Sequence, residues 1–356
     1  MTSPLVDAAG QTWPPFVLIA GLLLIGEVAA SDGLFEALGS RLARLPGGGI
    51  ALLAYLLALI AVTTVVLNLD TSVVFLTPIV VHAARSRRLD ERAFLYGCVF
   101  MSNSASLLLP GSNLTNLLVL SGEHLSGATF GMRLFPAWLA AVTVTALWLI
   151  IWQRRELQQG GRSSREVARY RVGLGLVATI GAAVLVLVLT EPALPILALG
   201  LLATAGQVAM RRLPFGAARR ALNLPLLVGL FAASVGLGAV ARLWGAPARL
   251  MSSIGSWQTA AIGAIASVLV NNLPAAVLLA SRPPAHARAL LLGLNLGPNL
   301  AITGSLSAIL WLRVARSLEA RPSVVTYSRL GVLLVPLSIA AGLLALDVFA
   351  PQGLPL

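Results

Sequence analysis

Between Ile50 and Ala84 the chain is apolar almost throughout, but Asn68, Asp70 and Thr71 interrupt it in the middle. The run of about 35 residues is too long for one crossing of a ~30 Å hydrocarbon core, which takes about 20 helical residues. Each arm, at about 16, is too short. A hairpin that enters the membrane, turns at Asn68–Thr71 and returns satisfies both lengths. Backbone at such a tip must be packed in protein or line a wet cavity, because lipid offers it no partner. Asp70 sharpens the constraint. A carboxylate at mid-bilayer costs roughly 2.5–3.5 kcal/mol even on the lenient insertion scale, so an acid there is read first as functional.

Composition supports a membrane setting. The chain has 356 residues, 58% hydrophobic and 11% charged, with mean hydropathy +0.89. A soluble domain cannot bury that much apolar surface, so an all-α polytopic membrane protein is expected. The single cysteine, Cys98, cannot form an internal disulfide and reads as packing. His82, His124 and His286 are scattered, so neither a metal site nor a cofactor is expected. The first apolar run, 14–30, lacks the basic lead and cleavage pattern of a signal peptide.

The net charge of +12 does not point to nucleic acid. All 25 basic residues are arginines, in short loops between apolar runs, as the positive-inside bias produces. With no lysine there is no phosphate-binding loop. Any transport is then driven by an ion gradient or by a partner subunit.

In chain order, residues 1–13 read as a polar start and 14–31 as a crossing with Glu27 near its end, a lesser site candidate. Gly33–Leu45 reads as an interfacial amphipathic helix. The hairpin follows at 49–84, then a charged loop, Arg85–Arg92. Residues 93–120 are apolar at both ends with a polar centre holding Ser102, Asn103, Ser104, Ser106, Ser112, Asn113 and Asn116 around Pro110–Gly111. A discontinuous helix explains that density. Its freed ends carry partial charges that can hold ions or polar solutes. Residues 136–152 read as a plain crossing.

The loop 153–171 is taken as a cytoplasmic linker between a first repeat, 1–152, and a second, 172–356. The second half has crossings at 172–189, 193–210 and 225–241, then a hairpin at 256–281 with its tip at Asn271–Asn272. A broken helix follows at 290–312, centred on Asn295, Asn299, Thr303 and Ser305, and a last crossing at 327–349. With the first hairpin opening to the cytoplasm and the second to the outside, twenty arginines fall inside and five outside. The expected fold is therefore two inverted repeats, each with a re-entrant hairpin and a discontinuous helix, forming a scaffold and a transport domain. That pattern is the sequence sign of a secondary transporter.

NLDTSVVFLTPIV, SNSASLLLPGSNLTNLLV, VNNLPAAVLLA and NLGPNLAITGSLSAILWLRV resemble the four motif blocks of the arsenite efflux permeases (ArsB-type), within the larger ion-transporter superfamily. The resemblance runs from about residue 14 to 349. It implies two hairpin tips and two broken helices meeting at one site. Carried over residue by residue, the site is Asn68, Asp70 and Thr71; Ser102, Asn103, Ser104, Ser112 and Asn113; Asn271 and Asn272; and Asn299, Thr303 and Ser305. The first tip reads Asn-Leu-Asp where related members place Asn and Asp side by side. Asn299 stands where some arsenical pumps carry a basic residue. The chain is also shorter than the usual member and is expected to lack N-terminal crossings.

The implied function is export of arsenite or antimonite in exchange for protons, with Asp70 as the proton carrier. The alternative is a sodium/proton antiporter or another small-anion transporter of the superfamily. No arginine lies in the four polar centres, which disfavours a dianion. A homodimer and a soluble ATPase subunit are the candidate protein partners, in a cell-membrane setting. A membrane enzyme is the weakest class, with no nucleophile–base pair in view. Trp152, Trp244, Trp257 and Trp311 are expected at span ends as interfacial anchors.

Overall fold

The computed structural model describes residues 3–120, 125–158 and 173–349. Most of the proposed 153–171 linker, His124 and the last seven residues lie outside them. The described chain is helical throughout, with no strand. In order the helices are α1 (Pro4–Ser31), α2 (Leu34–Leu42), α3 (Gly49–Val66), α4 (Leu69–Ser86), α5 (Arg92–Ala105), α6 (Leu114–Val119), α7 (Gly127–Trp152) and α8 (Arg154–Leu157). They continue as α9 (Leu174–Val188), α10 (Ala193–Ala209), α11 (Phe215–Leu222), α12 (Leu224–Trp244), α13 (Ala246–Ser253), α14 (Ser256–Val270) and α15 (Asn272–Leu279). The last are α16 (Ala287–Leu296), α17 (Leu306–Ser317) and α18 (Val324–Phe349). Five stretches among the described residues are long and apolar enough to cross a membrane: 4–31, 49–66, 127–152, 215–244 and 324–349.

Two helix–turn–helix elements occupy the expected hairpins. The arms of the first, α3 and α4, have 18 residues each, longer than the sequence suggested. At 1.5 Å per residue each reaches about 27 Å, close to a full hydrocarbon thickness, so these arms are not short. Their turn is tight. Leu67 caps α3 and Asn68 starts α4 in an extended conformation, which places Asp70 and Thr71 in the first turn of α4. Thr64 donates to Ser72 at 2.8 Å and ties the arms together beside the turn. The second element has arms of 15 and 8 residues, α14 and α15, with the turn at Asn271. Asn271 sits at φ 75 and ψ 151, outside the αL region and in a conformation that residues other than glycine rarely adopt.

Both broken helices are present. α5 stops at Ala105, a single 3₁₀ turn covers Pro110–Ser112, and α6 restarts at Leu114. α16 gives way to 3₁₀ turns at Gly297–Leu300 and Ile302–Gly304 before α17. Extended residues at Leu109, Asn113, Ala301 and Ser305 interrupt the helical ladder.

Prolines proved poor boundary markers. The helices run through Pro14 and Pro15 in α1, Pro78 in α4, Pro136 in α7 and Pro336 in α18. α1 therefore begins at Pro4 within the supposed polar start, and α7 begins at Gly127 and includes Arg133. Neighbouring helices and local adjustment satisfy the carbonyls a membrane proline frees, so the soluble-protein rule over-reads them.

Two other expectations need correction. Trp311 is fully buried, donates its ring N–H to the Leu95 carbonyl at 2.9 Å and packs on Tyr96 and Tyr327, so it is no interfacial anchor. Arg87 is not a loop charge but a buried clamp at the C-terminal end of α4. Its guanidinium donates to the carbonyls of Ala43, Leu45 and Gly47 at 2.6–2.9 Å and closes the α2–α3 connection.

Candidate functional site

Four helix starts converge on one cavity of about 230 Å³. Its wall includes Asn68, Asp70 and Thr71 at the start of α4; Ser112, Asn113 and Leu114 at the start of α6; Asn271 and Asn272 at the start of α15; and Leu306 and Ser307 at the start of α17. Each start is capped by the polar residue before it. Asn68 accepts from the Thr71 amide at 2.7 Å, Asn113 from Thr115 at 3.3 Å, Asn271 from Leu273 at 3.4 Å and Ser305 from Ala308 at 3.2 Å. Asn and Ser are strong N-caps because their side-chain oxygen satisfies an orphan amide. Three of these caps, Asn68, Asn113 and Asn271, also line the cavity. The positive ends of these helix dipoles point inward, and Asp70, in the first turn of α4, stands among them.

One hydrogen bond links the two halves inside the cavity: Ser307 donates to the Asp70 carboxylate at 2.5 Å. Ser307 was not among the sequence-derived site residues. The signal was in the motif: Ser305 is the N-cap, so Ser307 falls in the first turn that faces the cavity.

Seven sequence-derived residues line the cavity: Asn68, Asp70, Thr71, Ser112, Asn113, Asn271 and Asn272. Six do not. Asn103 is buried behind it and donates to Asn299 at 2.7 Å. Ser104 bonds Thr145 at 2.8 Å, and Ser102 is buried without a hydrogen-bond partner. Thr303 is exposed and bonds the Val268 carbonyl at 3.3 Å, while Ser305 is spent on its cap. Asn271 reaches the Thr303 carbonyl at 3.1 Å, so the second hairpin rests on the second broken helix.

Behind the cavity an amide network joins the two helix breaks. Asn295 accepts from Ser106 at 2.8 Å and Asn113 at 2.9 Å, and donates to Asn116 at 2.9 Å. Asn116 in turn donates to the carbonyls of Ser106 and of Leu109, the latter also accepting from the Ser112 amide at 3.1 Å. The backbone is also closely packed here. A Cβ on Gly331 of α18 would lie 1.9 Å from the Asn299 carbonyl oxygen.

Two charged residues outside the polar centres also line the cavity: Glu27 of α1 and Arg220 of α11. Glu27 was a lesser candidate. Arg220 reads from sequence as a loop charge; the four polar centres hold no arginine, but this one reaches the cavity wall from α11.

Comparison with known proteins places the chain. Residues 2–309 match the citrate transporter family, CitMHS. The silicon efflux transporter LSI3 of Oryza sativa subsp. japonica is 29% identical over 155 residues, covering 44% of this chain but only 32% of that protein. The arsenical pump membrane protein of Escherichia coli is 23% identical over an alignment of 360 residues, covering 85% of this chain and 78% of the pump. Among solved structures, the YdaH transporter of Alcanivorax borkumensis, described as having an unusual topology, superposes with TM-score 0.59 at 16% identity. That match covers 99% of this chain and 88% of the other, and shows likeness of fold alone. The expected resemblance to arsenite permeases thus survives as a distant relationship inside a differently named family. The chain is a multi-pass membrane transporter rather than an enzyme, and it belongs to the citrate transporter (CitMHS) family.

Proposed function

We propose that the protein exports a small, neutral, polyhydroxylated oxyacid, arsenite or antimonite, in exchange for protons carried by Asp70. The observation that carries this reading is the Ser307–Asp70 hydrogen bond inside a cavity lined, apart from Glu27 and Arg220, by amides, hydroxyls and apolar side chains. As(OH)₃ and Sb(OH)₃ present only hydroxyls, which Asn, Ser and Thr can both donate to and accept from. Citrate would bring three carboxylates to a cavity whose wall holds one arginine alongside two acids, Glu27 and Asp70. The names of the two relatives, an arsenical pump and a silicon exporter, agree with a hydroxylated solute. In this reading the two halves act as inverted repeats, with the hairpins and broken helices forming the moving part.

Everted vesicles test it. Adding Sb(III) should release protons, and Asp70→Asn should abolish the release. Normal pH-driven transport by that variant would refute the assignment. A second reading, sodium as the solute or coupling ion, draws on the Thr71 and Ser102 hydroxyls and the Asn103 amide oxygen, which are buried without partners. Oxygen ligands of this kind suit a hard cation. Proton release on adding Na⁺ in place of Sb(III) would favour it.

A further inference from the structure

We infer that Glu27 and Arg220 form a charge-balanced entrance that sets the cavity's selectivity against ions. This rests on the neutral-solute reading and adds to it the residues that enforce neutrality.

Glu27 is half-buried on α1 and lies on the cavity wall. The residue before it seats α1 on the first hairpin, since a Cβ on Gly26 would lie 2.6 Å from the Thr71 methyl carbon. No side chain fits between them, so Glu27 is held close to the turn that carries Asp70. Arg220 reaches the same wall by a different device. α11 ends at Asn223, whose φ of 42 is left-handed, and the chain restarts at once as α12 with Pro225 in its first turn. That bend brings Arg220, Ala221, Leu222 and Asn223 onto the wall that Glu27 also lines, with Arg220 exposed.

Among the described lining residues only Glu27, Asp70 and Arg220 carry charge. Asp70 is engaged by Ser307. The remaining two are opposite in sign, so an anion meets no net charge on the wall when Asp70 is protonated and is repelled when it is ionised, while a neutral solute is unaffected. Removing Glu27 leaves Arg220 opposed only by Asp70, so the wall no longer repels an anion when Asp70 is ionised and attracts one when Asp70 is protonated. Removing Arg220 leaves two carboxylates, which repel anions. At an effective dielectric of about 20, one unit charge some 10 Å from a bound ion changes its affinity by roughly tenfold.

Citrate is the anion probe, applied to purified full-length wild type, Glu27→Gln, Arg220→Gln and the double variant. Thermal melting in a citrate series reads ion binding directly. Citrate should stabilise Glu27→Gln at roughly tenfold lower concentration than wild type, while Arg220→Gln and the double variant should show no such gain. Antimonite uptake into everted vesicles should become citrate-sensitive in Glu27→Gln alone. Equal citrate responses across the four proteins would overturn the inference, as would strong citrate stabilisation of wild type abolished by Arg220→Gln, which would make Arg220 an anion ligand. Arg220 is exposed, so its variant tests the pair even if Glu27→Gln folds poorly. Absence of antimonite uptake by wild type would count against the neutral-solute reading alone, because the melting series still reads the entrance.

Discussion

Ser307 and Asp70 lie 237 residues apart in sequence and 2.5 Å apart in space, one on the second broken helix and the other on the first hairpin. The bond closes the cavity between the two halves and holds the carboxylate in a fixed direction. Ser307→Ala should leave the fold intact and cost about 1.5–3 kcal/mol of the interaction with the ionised acid. The expected signature is an altered pH profile of Sb(III)-driven proton release with expression unchanged. An unaltered profile would remove Ser307 from the site.

Asn295 is a structural hub rather than a lining residue, because its amide serves Ser106, Asn113 and Asn116 together. Asn295→Leu should lower stability by several kcal/mol, since its buried polar partners on the first break each lose a bond. Thermal melting in detergent should show a large drop. A drop no greater than that of an exposed substitution would mean the network contributes little.

Arg87 satisfies three carbonyls of the α2–α3 connection. Arg87→Leu should therefore cost about 3 kcal/mol or more, through the stranded carbonyls rather than through lost charge. Proteolysis should appear first near residues 43–47. Melting and cleavage patterns like those of wild type would contradict the clamp.

Gly331 meets the Asn299 carbonyl with no room for a methyl group. Gly331→Ala should force α18 away from the second helix break and reduce folded yield, whereas Gly229→Ala, where a Cβ meets nothing within 4 Å, should be tolerated. Size-exclusion profiles of the two variants make the comparison. Equal profiles would show that α18 yields freely.

Asp90 gives a pH-dependent prediction outside the membrane spans. Burial works against its ionisation, but the side-chain and backbone hydrogen bonds of Arg92 outweigh it and hold the carboxyl below its ordinary value. A depressed acid contributes stability above its unfolded value, and that stability is lost as pH falls through the folded one. Asp90→Asn should therefore be slightly less stable than wild type at neutral pH, by well under 1 kcal/mol for so exposed a pair. The difference should fade as acid is added. A gap that widened in acid would reverse the sign.

The hairpins and helix breaks were legible because their signal is local: polar residues inside apolar runs, with Pro, Gly and Asn at the interruptions. Asn68, Asp70 and Asn271 could be picked out for that reason. Arg220 could not, because it reaches the cavity only through the bend at Asn223, and α11 carries no sign of where it will lie. Asn103 and Asn299 were read as solute ligands but bond to each other. A polar residue near a break can serve the solute or the broken backbone, and spacing alone does not distinguish these. Trp311 failed similarly, since proximity to a span end does not say whether a ring faces lipid or a neighbouring helix.

The amides knotted around Asn295 carry a mechanical consequence. Sliding one broken helix past the other would break all three bonds that Asn295 makes to the side chains of Ser106, Asn113 and Asn116. Any motion that exposes the cavity to the opposite side of the bilayer must therefore carry both breaks together as a single rigid cargo, with the sliding seam elsewhere.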